Sequence, residues 1–152
     1  MANKKIINAT PLEYNDIKFR SKLEVLVFKT LVEKGFTPEY EPTKFTIWSG
    51  FKPSVPFYIR KKGQSSLSLD MKKQIDITYT PDIVLETEKY IVFIEVKPQF
   101  CNDVFPYKRK LFRYYLEHYN GEKRPVYAQI GTRKETLELI DLLKKEENEE
   151  SV

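Results

Sequence analysis

With 152 residues, a formal net charge of +4, one cysteine and one histidine, the chain has the length of one compact domain that can bury a core without disulfides or a structural metal. Cys101 has no intramolecular disulfide partner, and Cys101 with His118 falls short of a zinc-binding cluster. No apolar run reaches the roughly 20 residues that cross a bilayer, and Met1-Ala2-Asn3-Lys4-Lys5 lacks the apolar stretch of a signal peptide, so an intracellular, cytoplasmic protein with no membrane partner is expected.

The charge is unevenly placed. Residues 144–152 hold two Lys and four Glu, so the rest of the chain carries +6. That balance suits a polyanionic partner and, on charge alone, is only permissive.

In chain order, residues 1–14 read as a loose leader. Asp16 is placed to N-cap a helix that runs to about residue 34 and stops at Gly35. Leu23, Leu26, Val27, Leu31 and Val32 recur at three- and four-residue spacing as its buried stripe. Lys18, Lys22, Lys29 and Lys34 lie outside it, and Glu24 sits at its edge. From residue 39 onward, β-branched and aromatic residues concentrate in the runs 44–48, 56–60, 74–86 and 90–97, which read as an antiparallel meander. The intervening stretch 61–73, small and flexible residues flanked by lysines, reads as an exposed loop.

A proline-containing turn then leads to a second helix over about 105–119 and a strand over 125–130. Because a helix connects two strands there, the pair is expected to be parallel. Thr132-Arg133-Lys134-Glu135 fits a capping box opening a last helix, packed through Leu139, Ile140, Leu142 and Leu143 before an acidic, frayed tail. The whole is expected to be a single α/β domain with one mixed sheet covered by helices.

The informative stretch runs from Tyr79 to Lys97, two β-runs separated by a polar turn at Glu88-Lys89. With those two residues as the loop, paired residue numbers sum to 177, and Asp82 lies opposite Glu95 on one face. Period-two alternation adds Lys97 to that face, behind Ile91 and Phe93, while Val92, Ile94 and Val96 point the other way. The ordinary reading of a short D…ExK pattern is an exposed strand end, with Asp82 capping the turn after Pro81. Here the strand is apolar on both faces, where an unpaired buried charge costs several kcal/mol, roughly. Two opposed carboxylates can instead hold a hard cation such as Mg²⁺, which polarises phosphate and acidifies water. An ammonium two residues on can orient that water or stabilise charge on the phosphate.

Pro81-Asp82 followed by Glu95-Val96-Lys97 resembles the PD-(D/E)XK nuclease superfamily. Phe19-Arg20-Ser21-Lys22-Leu23-Glu24, Glu39-Tyr40-Glu41 and Tyr79-Thr80-Pro81-Asp82 look like the phage endonuclease I family of Holliday-junction resolvases, over about residues 19–100. Lys108-Arg109-Lys110-Leu111-Phe112 is similar to small phage proteins of the same superfamily, and Glu95-Val96-Lys97-Pro98 to head-completion nucleases and transposon end-cleaving subunits. The resemblance implies a restriction-endonuclease-like fold and a DNA endonuclease acting on duplex or branched DNA inside a bacterial or phage-infected cell. It makes Asp82, Glu95 and the Val96 carbonyl ligands of Mg²⁺, for which Mn²⁺ substitutes, with no small-molecule cofactor. By the same resemblance Lys97 assists the attacking water and Glu24 completes the acidic cluster; taken alone, Glu24 reads as an i, i−4 partner of Arg20. A homodimer suits two coordinated cuts. The chain departs from the resolvases in its acidic C-terminal end and in an extra segment at about 46–75.

Lys108, Arg109, Lys110 and Arg113 on the second helix are expected to meet phosphates, with Lys72 and Lys73, beside Arg60-Lys61-Lys62, as a second clamp. The interleaved Phe105, Tyr107, Phe112, Tyr114 and Tyr115 read either as core or as stacking surfaces. Two other readings fit the same residues: a non-catalytic nucleic-acid-binding, virion-assembly or transposition protein that keeps the fold, and an exonuclease or nuclease subunit that needs a partner protein.

Overall fold

In the computed structural model, which describes residues 12–98 and 105–149, the described chain enters through a hairpin. Strand β1 (Glu13–Tyr14) pairs with β2 (Ile17–Lys18) across Asn15-Asp16. The expected leader thus ends in ordered structure, its first eleven residues lying outside the described ones. Asn15 and Asp16 have φ of 51° and 62°, the left-handed backbone that a two-residue hairpin turn demands and that Asn and Asp tolerate well. Asp16 is therefore part of a turn and caps no helix.

The cap is Ser21. Its Oγ accepts from Glu24 N at 3.2 Å while Glu24 Oε2 accepts from Ser21 N at 3.1 Å, a reciprocal capping box that opens helix α1 (Lys22–Glu33) later than the sequence pattern suggests. Gly35, at φ 91°, ends it as expected, with Phe36 N donating to Leu31 O. Val27, Phe28 and Leu31 form the buried face, whereas Leu26, expected inside, is 38% exposed.

The chain continues through β3 (Glu39–Tyr40), β4 (Phe45–Trp48), β5 (Tyr58–Ile59), β6 (Ser68–Leu69), β7 (Ile77–Tyr79), β8 (Ile83–Glu86) and β9 (Tyr90–Val96). Helix α2 (Phe105–Glu117), β10 (Arg124–Ile130) and helix α3 (Arg133–Glu149) follow. The central sheet has the order β10-β9-β8-β3, with β9 and β10 parallel and the other neighbours antiparallel. This is an α/β architecture of three helices and a four-stranded mixed sheet.

The expected continuous meander is divided. The run 74–86 breaks at Thr80-Pro81-Asp82, where proline has no N–H for a ladder. Upstream, β7 pairs with β4 in a separate two-stranded piece. The stretch 61–73, read as loop, contributes β6, which pairs with β5.

Alternation along β9 distributes the core. Val92, Ile94 and Val96 join Ile83 and Leu85 against the buried faces of α1 and α3. Phe93 and Val84 face a second cluster with Ile47, Tyr79, Phe105 and Phe112. Phe112, fully buried, has its ring 4.7 Å from Tyr79, 4.9 Å from Tyr127 and 5.5 Å from both Phe45 and Phe93. In α3 the inward positions are Thr136, Leu139, Ile140 and Leu143, and Leu142, expected to pack, is 59% exposed because it falls off that helical stripe. The acidic end does not fray at residue 143. The helix continues to Glu149, and Glu147 accepts from the Thr87 hydroxyl while its carbonyl accepts from Lys89 Nζ at 3.1 Å. Among the described residues no helix is long and apolar enough to cross a membrane.

Emptying the space of Phe112 removes the hub of the second cluster. Phe112→Ala should lower unfolding free energy by about 3–5 kcal/mol, and Phe112→Leu by clearly less. Urea denaturation followed by circular dichroism measures this, and a loss under about 1 kcal/mol would contradict the packing described.

Candidate active site

Strands β8 and β9 pair Ile83 with Ile94, Val84 with Phe93, Leu85 with Val92 and Glu86 with Ile91. Every pair sums to 177, and Thr87 N donates to Tyr90 O at 2.9 Å to close the two-residue loop. One step further along the same register Asp82 faces Glu95. Asp82 stands just outside β8, and its Oδ2 accepts from Val96 N at 2.8 Å, so the carboxylate reaches across to the backbone of β9.

Both acids are buried, at 5% and 6% exposure, and so is Glu24, at 6%. Burial pushes the Asp82 carboxyl up to about 6, against the lowering effect of the Val96 N–H, with Glu24 adding to the rise. Burial followed by the charge of Asp82 pushes Glu95 up to about 7, while the Tyr79 hydroxyl and Lys97 oppose it. Two acids held this close cannot both ionise freely, and a proton or a cation between them relieves the conflict.

Lys97 Nζ lies 3.8 Å from Glu95 Oε1 and 5.0 Å from the centroid of the Phe105 ring. Its backbone is fixed from β10, since Lys97 N donates to Ile130 O at 3.0 Å. Gly131 passes so close that a Cβ there would stand 2.1 Å from the Lys97 carbonyl oxygen, so only glycine fits.

Glu24 has a different duty from the one expected of an ion-pair partner. Its Oε2 accepts from Arg20 N at 3.0 Å, from Ser21 N and from the Tyr40 hydroxyl at 2.9 Å. The Arg20 guanidinium turns away to pair with Glu41 and stands 3.7 Å from Asp82 Oδ1. Glu41, in left-handed backbone at φ 47°, donates its N–H to Asp82 O at 2.9 Å. A non-glycine residue in that conformation beside a cluster of acids is a local strain of the sort found at functional sites.

These groups line one cavity of about 500 Å³ that holds Arg20, Glu24, Asp82, Glu95, Val96, Lys97 and Lys108. The four acidic and basic residues singled out on the sequence, with Val96, are thus brought together. Of the basic residues expected to meet phosphate, Lys108 alone borders the cavity. Arg109 donates to Gln129 Oε1 at 2.7 Å and lies over Phe105. Lys110 and Arg113 occupy another surface of α2 beside Tyr114, and Lys72 and Lys73 are exposed between β6 and β7.

Sequence reasoning missed Tyr79, Tyr127 and Arg20 as site residues. The Tyr79 hydroxyl donates to Glu95 Oε2 at 2.6 Å and lies 2.9 Å from that of Tyr127. Burial raises both phenols above their usual range, so they stay protonated and act as donors. Tyr79 stands within the quoted Tyr79-Thr80-Pro81-Asp82 stretch, but its direction depends on the separate β4–β7 layer. Tyr127 shares the Glu95 face only through the parallel register Gln129↔Glu95.

An oxygen-only donor set of two opposed carboxylates and a backbone carbonyl suits a hard cation rather than zinc or copper. As the side chains are placed, one oxygen of each acid is engaged in a short hydrogen bond, leaving Asp82 Oδ1 and Glu95 Oε1 facing cationic groups at 3.7 and 3.8 Å. Among the described residues no three acidic, His or Cys side chains form a group able to hold a metal ion. Compared with protein-family models, with curated proteins and with solved structures, the chain matches none.

Because Asp82 and Glu95 hold protons more tightly folded than unfolded, the stability tied to them is complete below about pH 4 and is lost as pH rises through their folded values, about 6 and 7. Asn at position 82 keeps an acceptor for Val96 N–H without the charge. Asp82→Asn, in EDTA, should therefore gain thermal stability over the wild type progressively between pH 4.5 and 7.5, measured by differential scanning fluorimetry. A pH-independent difference would contradict the repulsion.

Proposed function

We propose that the chain is a metal-dependent DNA endonuclease with a restriction-endonuclease-like fold. The observation that carries this reading is the pairing of buried Asp82 with buried Glu95 at the end of an apolar hairpin, with Lys97 on the same face. A structural core has no use for that arrangement, because desolvating two opposed acids is unfavourable unless a cation joins them.

A divalent cation held by Asp82, Glu95 and the Val96 carbonyl would polarise a phosphate oxygen and acidify a water. Lys97, projecting from the same strand, orients the attacking water and neutralises charge growing on the phosphate. Tyr79 holds the Glu95 carboxylate in place through its hydroxyl. Glu24 anchors the start of α1 against Tyr40, which keeps Arg20 at the rim of the cleft. Arg20 and Lys108 then flank the path of a phosphodiester backbone. The oxygen-rich donor set favours Mg²⁺, with Mn²⁺ as a substitute, and duplex or branched DNA is the substrate class. Two coordinated cuts would take two copies acting together.

Purified protein is to be tested on four-way junction, duplex, flap and single-stranded DNA with Mg²⁺, Mn²⁺ or EDTA. Cleavage should require the metal, and Lys97→Ala and Asp82→Asn should each reduce it by about 100-fold or more with DNA binding in EDTA little changed. Full activity in either variant, or cleavage undiminished by EDTA, would falsify the site.

A further inference from the structure

Away from the cleft, the segment between β4 and β7 projects from the fold with an unusual surface. Ten of the fourteen large hydrophobic side chains exposed among the described residues lie between Trp48 and Ile75. So dense an apolar surface on one short segment marks a contact site. The same segment is basic: residues 48–76 hold six Lys or Arg against two Asp, and this +4 equals the net charge of the whole chain. Against a second copy, +4 would meet +4, which disfavours self-association. A polyanion that also presents flat apolar faces satisfies both features, and that description fits a nucleic-acid strand with unpaired bases.

A cavity of about 550 Å³ opens at the root of this arm, walled by Trp48, Phe51 and Phe57 and edged by Lys52, Asp70 and Gln74. The rings of Trp48 and Phe51 meet edge to face, 5.7 Å apart at 83°. Phe51 and Phe57 remain 50% and 57% exposed, so both side chains are accessible to a ligand. Behind the rings the backbone is tightly framed. Phe51 and Gln74 exchange two N–H···O bonds of 3.0 and 2.8 Å, and Gly50 N donates to Asp76 Oδ1 at 2.7 Å. A Cβ on Gly50 would stand 2.1 Å from Gln74 O, so the approach of the two segments depends on glycine. A framed cavity lined by accessible aromatic side chains suits a flat ligand.

We infer that this cavity binds an unpaired base of single-stranded nucleic acid. Trp48, Phe51 and Phe57 stack on the base, the Gln74 carboxamide and Asp70 carboxylate offer hydrogen bonds to its edge, and Lys52 meets a neighbouring phosphate. The basic groups at 60–62 and 72–73 extend the contact along the strand. Gln74 is eight residues from Asp82, at most about 28 Å of extended chain, so a strand held here passes within a few nucleotides of the acidic cleft. The inference concerns binding and stands without the hydrolytic reading.

Trp48 is the only tryptophan, so its fluorescence reports stacking directly. The full chain in EDTA is titrated with an oligothymidine and with a blunt duplex of equal length, each also carrying a dye for anisotropy. The single strand should quench Trp48 and bind more tightly than the duplex. Phe51→Ala and Phe57→Ala should each weaken single-strand binding by about 5- to 100-fold, whereas Phe57→Tyr should bind like the wild type. Circular dichroism checks that these exposed-site variants fold, and Phe57→Tyr keeps the test decisive if an alanine variant does not. Binding by anisotropy without quenching, alanine variants that bind normally, or no binding of the single strand would each overturn the proposal. So would sedimentation velocity showing a dimer that hides Trp48 and is not displaced by the oligothymidine. Asp82→Asn should retain the quench while losing cleavage, which separates failure of this site from failure of the nuclease reading.

Discussion

The pairing of β8 with β9 places almost everything else in this protein. With Glu88-Lys89 as the loop, one residue of slip would exchange the faces of Phe93 and Ile94, pulling each out of its own cluster and into the other. Both faces of β9 are buried, so register is enforced twice, by the aliphatic packing of α1 and α3 and by the aromatic packing around Phe112. The same register delivers Asp82 and Glu95 to opposite ends of one cross-strand position, and Lys97 to their side.

What surrounds the two acids explains how the fold tolerates them. Val96 N–H and the Tyr79 hydroxyl each bond one carboxylate, Arg20 and Lys97 bring positive charge near both, and Glu24 is satisfied by two backbone N–H groups and Tyr40. Even so, burial keeps Asp82 and Glu95 well above ordinary carboxylate values. The hydrogen bonds fix where the carboxylates point without neutralising them, which is the condition of a preorganised electrostatic site rather than of a closed ion-pair network.

A second division runs between the packed body and the arm between β4 and β7. Among the described residues only four large apolar groups outside residues 48–76 are exposed, against ten within them, and the chain outside that segment sums to zero charge while the arm carries the excess of positive charge. β7 links the two, running from the arm through Tyr79 to the edge of the cleft. The proposed roles of cleft and arm therefore meet along the β4–β7 pair, where Trp48 lies opposite Ile77 at the start of β7 and Tyr79 ends that strand beside the cleft.

Local chemistry alone was enough for the features that depend on period and on near neighbours in the chain. These are the Glu88-Lys89 hairpin with its sum of 177, the shared face of Glu95 and Lys97, the end of α1 at Gly35, the Thr132 to Glu135 opening of α3 and the parallel pairing expected of β10. One local expectation fails: Asp16, expected as the cap of α1, lies with Asn15 in a left-handed turn, and Ser21 with Glu24 forms the capping box instead. The roles of Tyr79, Tyr127 and Arg20, the outward turn of Leu26 and Leu142, the split of the meander at Pro81 and the sorting of the α2 aromatics into buried Phe105 and Phe112 and exposed Tyr107 and Tyr114 were decided by tertiary structure. Those outcomes depend on which distant element packs on a given face, and no period within a single segment carries that information.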